Sequence, residues 1–281
     1  MTHETDMRFD GVMIPLYTYD DSNIDLDGRT DVFQVGVDYV DEYLEGGYGK
    51  RGDFEIVVVM GEVKQGKSTF AMNMLAGPIK AGKTVGMFMF EEKYEAIKAK
   101  MKQIVGSEYI EGNDRIFTHN ADQDHLWTLL NLVDVIEQWF TVCDVILVDH
   151  LQAVFESAAV LRGDDQWNVQ KVFMNRLRRI MAKKENESKA IILISHISKN
   201  AQAKGANRIQ GTHGINEYAT KVLEVMKDSE NNSFLKQQFS RHNTESEKPA
   251  MPIFWDYPRL VTEEEAERAR LNRLVSIGDD L

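Results

Sequence analysis

Residues 54–69 read Phe-Glu-Ile-Val-Val-Val-Met-Gly-Glu-Val-Lys-Gln-Gly-Lys-Ser-Thr, an apolar run closing in the spacing Gly61-x-x-x-x-Gly66-Lys67-Ser68. Few stretches constrain a fold as tightly, because a buried strand, a tight loop and the first turn of a helix must follow one another without a gap. The loop's backbone N–H groups turn inward, and glycine stands where a side chain would block an incoming anion. Lys67 supplies a point charge for terminal phosphates, and the Ser68 hydroxyl suits a Mg²⁺ position. Gly61, Glu62, Val63, Lys64, Gln65, Gly66, Lys67, Ser68 and Thr69 are therefore expected to hold ATP, with Mg²⁺ at Ser68. Behind them, Phe70-x-x-x-Met74 predicts an amphipathic helix.

The pattern after this loop alternates. Strands are expected near 84–90, 115–118, 144–149 and 190–195, with helices near 94–105, 123–142 and 165–184 between them. Such alternation implies an α/β fold with a mostly parallel twisted sheet and helices on both faces. Beyond residue 214 the pattern changes to closely spaced strands near 221–226, 234–239 and 251–255, which predict an antiparallel extension at the C-terminal side. Residues 1–35 read as an arm, 36–260 as the core, and 261–281 as a charged helix with an acidic tail. With 281 residues, 43% hydrophobic and 28% charged, one large globular core is expected. A single cysteine, Cys143, excludes an internal disulfide framework and fits a reducing cytoplasm. Neither a membrane span nor a secretory leader is expected.

In an open parallel sheet, ligands sit beyond the carboxyl ends of the strands. The residues at those exits form a set: Glu91 and Glu92, then Asp149, then Ser195 and His196. Around a γ-phosphate, Asp149 suits steering Mg²⁺, Glu91 orienting and deprotonating a water, and His196 donating a hydrogen bond. A net charge of -12 argues against nucleic acid over the whole surface. Residues 198–216 nonetheless carry Lys199, Lys204 and Arg208 with no acid, an island suited either to phosphate contact or to solvent.

Taken in order, these motifs resemble the RecA-like hexameric replicative helicases, DnaB-like and close to the helicase half of phage primase-helicases, over roughly residues 34–257. Phe90-Glu91-Glu92-Lys93-Tyr94-Glu95 is similar to the segment bearing that family's catalytic glutamate, in the place of Glu91. Residues 145–152, Val-Ile-Leu-Val-Asp-His-Leu-Gln, resemble its Walker B strand, and residues 194–200, Ile-Ser-His-Ile-Ser-Lys-Asn, its phosphate-sensing strand. The basic island, closed by Arg208-Ile209-Gln210-Gly211-Thr212-His213-Gly214-Ile215, takes the place of the family's DNA-binding loop, with Gln210 and Thr212-His213 departing from the usual residues. Phe239-Ser240-Arg241 resembles the Lys-x-Arg segment whose arginine enters a neighbouring subunit's ATP site; Phe239 stands where the lysine is usual, and Lys236 lies three positions earlier.

The resemblance implies a ring, six subunits in this family, with ATP and Mg²⁺ at each interface and Lys199, Lys204 and Arg208 facing single-stranded DNA. It implies catalytic roles for Lys67, Glu91, His196 and Arg241, and 5′ to 3′ translocation that unwinds duplex DNA in a bacterial or phage-infected cytoplasm. A separate primase, loader, polymerase or single-strand-binding protein is the implied kind of partner. Two other readings stay open: a RecA- or RadA-like recombinase and a KaiC-like regulatory ATPase.

Overall fold

The computed structural model describes residues 5–9, 12–16, 33–49, 53–90, 92–120, 129–149, 166–196 and 218–278. In chain order the elements are β1 (Thr5–Phe9), β2 (Val12–Leu16), α1 (Asp38–Tyr43), β3 (Glu55–Gly61), α2 (Lys67–Met74), α3 (Ala76–Lys80), β4 (Val85–Met89) and α4 (Tyr94–Val105). There follow β5 (Ile116–Asn120), α5 (Leu129–Trp139), β6 (Val145–Asp149), α6 (Gln166–Met181), β7 (Ala190–His196), β8 (Lys221–Lys227), β9 (Ser233–Ser240), β10 (Met251–Asp256), β11 (Arg259–Val261) and α7 (Glu263–Gly278). Residues 1–30 and 31–281 form two separate compact units. In the first, β1 and β2 pair as an antiparallel hairpin.

The second unit is built on a sheet with the order β11-β10-β9-β8-β3-β7-β6-β4-β5. β3 is its axis: all seven of its residues are buried, and it bonds in parallel to β7 on one side and β8 on the other. Val57 and Val59 join one core with Phe70 and Met74 of α2, while Ile56, Val58 and Met60 join the opposite core with Phe173 and Leu177 of α6. A strand buried on both faces must be apolar throughout, which is why 56–60 show no alternation.

Several expectations are revised. α2 is not amphipathic: seven of its residues, Lys67, Thr69, Phe70, Ala71, Met72, Asn73 and Met74, are buried. Its outer side is covered by α3, α4 and the late strand β11, which the sequence pattern did not reveal because it is only three residues long. The antiparallel extension starts one strand later than expected, since β8 runs parallel to β3 and only β9, β10 and β11 alternate in direction. The helix expected over 123–142 is described as Leu129–Trp139, with 121–128 outside the described residues. Finally, the chain enters the core before residue 36, because Phe33 and Val35 are buried against α1 and α3.

That entry is tight. Asp41 accepts hydrogen bonds from the N–H groups of Val35, 2.6 Å, and Gly36, 2.9 Å, and so fixes the turn into α1. Gly77 of α3 packs directly on the incoming strand: a Cβ there would stand 1.8 Å from the Gln34 carbonyl oxygen. Backbone cannot yield as a side-chain tip can, so Gly77→Ala should cost about 2–3 kcal/mol. We expect thermal unfolding to move down by about 5 °C or more; an unchanged midpoint would show that this approach is loose.

Candidate functional site

Sheet register lines up the exits. Gly61 is the parallel partner of His196, Val148 of Leu193, and Met89 of Asp149, so β3, β7, β6 and β4 end side by side. The Phe90 N–H donates to the Asp149 carbonyl at 2.8 Å, which holds the start of the β4 exit against β6. By strand alternation Asp149 shares the face of Leu147, and His196 that of Ile194, the side of the sheet packed by α2. Asp149 is 2% exposed. Glu91, Lys199, Lys204 and Arg208 lie outside the described residues. Glu92 is engaged by Lys100 of α4, which donates to both carboxylate oxygens, 2.6 Å to Oε2.

The loop between β3 and α2 uses its two glycines for different reasons. Gly66 precedes the helix with φ 93°, a left-handed conformation, and no atom within 4 Å of a would-be Cβ. It is glycine for its backbone angle. At Gly61 the reason is space, since a Cβ would meet the Val225 carbonyl oxygen of β8 at 2.4 Å. Between them the Lys67 ammonium donates to the Glu62 carbonyl at 2.7 Å, inside the curve of the loop. The first-turn N–H groups of Lys67, Ser68 and Thr69 point out of the helix end, a ready anion cradle. Ser68 and Asp149 are hard oxygen donors on the same face, a set that suits Mg²⁺.

Arg241 stands at the other end of the sheet. β9 runs antiparallel to β8, with Ser240 opposite Lys221, so the chain leaves β9 near the amino end of β3. Its N–H donates to the Thr220 carbonyl, 2.8 Å, and the Thr220 N–H to that of Ile56, 2.9 Å. From Ile56 to Gly61 is roughly 16 Å along the strand. Arg241 is exposed there and does not meet the phosphate loop of its own chain. Phe239, opposite Val222 at a register shift, packs against the apolar core on the α6 face, which accounts for an apolar residue in that position. Lys236 is paired with Glu247 at 2.8 Å.

Sequence reading missed two residues that shape these ends. Asn73 is buried on α2; its Nδ2 donates to the carbonyls of Thr69, 2.8 Å, and Pro258, 2.9 Å, and its Oδ1 accepts from the Leu260 N–H, 2.9 Å. It ties the phosphate-loop helix to the β10–β11 turn, and an amide inside an apolar helical run was the signal for it. Glu45, just after α1, pins the loop that follows Arg241: it accepts from the Thr244 N–H, 2.8 Å, and pairs with Lys248, 3.0 Å. No sequence signal marked it, since the contact spans the whole core.

No family model matches the chain, and no curated protein matches it in sequence. Solved structures do. The KaiC-like protein PH0186 from Pyrococcus horikoshii OT3 superposes with a TM-score of 0.60 at 19% identity, over 81% of this chain and 96% of that one. The ATPase domain of a DnaB-like phage helicase superposes at 0.62 with 13% identity, over 84% and 93% respectively. The chain thus has the fold of the RecA-like ATPases, with a parallel core sheet and antiparallel strands at its C-terminal side. Among the described residues no helix is long and apolar enough to cross a membrane.

The Glu45 clamp yields a pH test. Burial alone would raise its carboxyl, but hydrogen bonds from Thr244 and Lys248 outweigh it and bring the pKa from 4.5 to about 2. A depressed acid stabilises the fold above its unfolded pKa and loses that effect as pH falls through the folded one. Glu45→Gln should therefore cost about 1 kcal/mol at pH 7. The gap to wild type should close between pH 4.5 and 2 in urea titrations. A gap that is constant with pH would dismiss the charged clamp.

Proposed function

We propose that this chain is the motor subunit of a ring-shaped, ATP-driven DNA helicase, in which ATP bound by one subunit is completed by Arg241 of the next. One observation carries the reading: the phosphate loop and the Arg241 loop sit at opposite ends of the same sheet, each built to hold its shape. Within a single chain the arginine has no phosphate to serve. Between neighbouring copies it has one.

In this reading the Lys67 ammonium and the loop N–H groups bind the triphosphate, and Ser68 with Asp149 would hold Mg²⁺. Bound there, Mg²⁺ would neutralise charge on the β- and γ-phosphates. Glu91 accepts a proton from the attacking water, His196 donates to the γ-phosphate, and Arg241 stabilises charge on the transferring group from across the interface. Lys199, Lys204 and Arg208 contact the backbone of single-stranded DNA in the central channel, so hydrolysis moves the strand 5′ to 3′. An acidic exterior is compatible with that, because the DNA-binding charge is confined to one loop. Six copies per ring, and a separate primase or loader, follow from the helicase resemblance.

The likeness to a KaiC-like protein supports a second reading, an ATPase that acts without DNA. Hydrolysis measured with and without single-stranded DNA separates the two: strong stimulation is expected, and indifference to DNA would favour the second. Lys67→Ala should abolish turnover with loss of nucleotide binding. Arg241→Ala should lower kcat by about 10³-fold or more while leaving binding intact. Mixed in equal amounts, the two variants should regain activity, since a Lys67→Ala subunit still offers its arginine to an intact neighbour. Failure to recover at any ratio would remove the shared site.

A further inference from the structure

Lys64 occupies a position that suits it badly. It sits within the phosphate loop with φ 65°, in the left-handed region where Cβ crowds the carbonyl oxygen, and where glycine or asparagine is at ease. The other described non-glycine residues with positive φ are Glu45, Ser188 and Asn231. Glu45 is kept by the clamp it makes, and Asn231 is of the type that tolerates the angle. Backbone strain at a ligand-holding loop persists where the side chain does something glycine cannot.

Charge supplies the second observation. The loop also contains Glu62, whose carboxylate opposes any anion, and Lys67, which is only 5% exposed and already donates to the Glu62 carbonyl. Glu62 and Lys67 cancel, so Lys64 alone makes the loop cationic. Its side chain is exposed at the mouth of the loop, on a flexible four-carbon stem. An ammonium so placed approaches the outermost phosphate, the one furthest from the helix end.

We propose that Lys64 is a second phosphate-binding cation, one that engages the terminal phosphate of ATP and sets the preference for ATP over ADP. The proposal rests on the ATPase reading above and adds to it a residue that discriminates between substrate and product. It also accounts for a carboxylate being tolerated at Glu62, since the two charges offset each other in the loop.

The test is calorimetric titration of ATP and ADP into the full chain and into Lys64→Gly, Lys64→Asn, Lys64→Arg and the double variant Glu62→Gln/Lys64→Asn. Thermal unfolding without nucleotide checks the fold of each. Glycine and asparagine should unfold no earlier than wild type, because both accept the backbone angle. ATP affinity should fall about tenfold in both, the effect of one lost charge contact near the surface. ADP affinity should change by less than about threefold, because the contact is to a phosphate ADP lacks. Arginine should keep the wild-type preference, and removing the Glu62 charge should recover most of the loss. Unchanged ATP binding in Lys64→Asn, or equal losses for ATP and ADP, would overturn the proposal while leaving the ATPase reading standing. A wild-type chain that binds neither nucleotide would overturn both.

Discussion

Main-chain pairing of β3 with β7 on one side and β8 on the other is the constraint from which the site follows. A strand with no exposed face and no free edge cannot slide by one residue without turning its whole apolar set over. Gly61 is thereby held opposite His196 and against the carbonyl of Val225, and the loop that follows is aimed before any ligand arrives. Asp149 and the start of the β4 exit are placed by the same ladder, two strands further along. No separate device is needed to gather these residues.

The sheet also divides the chemistry. Its carboxyl end holds the phosphate loop, while the amino end, where β9 returns, presents Arg241 on a loop stapled by Glu45, Asn243 and Lys248. Lys221 and Glu55, both fully buried charges, are satisfied at that same end by the Gly47 carbonyl and by the Gly49 N–H with the Thr220 hydroxyl. Buried charges satisfied in this way are sensitive to displacement, so the amino end of β3 is as strictly positioned as the carboxyl end. A protein that used only its own phosphate loop would have little need for that.

Much of this was legible because local pattern and final environment agree. Residues 56–60 are apolar throughout and lie buried on both faces; Ile97, Met101, Ile104 and Val105 recur at helical spacing and form the inner stripe of α4. What escaped were features decided far away in sequence. α2 looked half-exposed because the residues that cover it come nearly two hundred positions later, in β11. β8 was grouped with the antiparallel strands because its neighbour in sequence, β9, is antiparallel, whereas its direction is set by β3. Phe239 and Glu45 carried no local sign of their roles, since a register shift and a cross-core clamp are properties of the assembled sheet.

The Asn73 bridge has an effect on the order of assembly. The helix that begins at the phosphate loop is sealed by a turn at Pro258 and Leu260, so a growing chain on the ribosome carries an unroofed nucleotide cradle until those residues emerge. Until then the apolar wall of α2 stands open to water and to other chains. Synthesis thus withholds ligand capture from incomplete molecules, and the last strand acts as a seal of completion on the first.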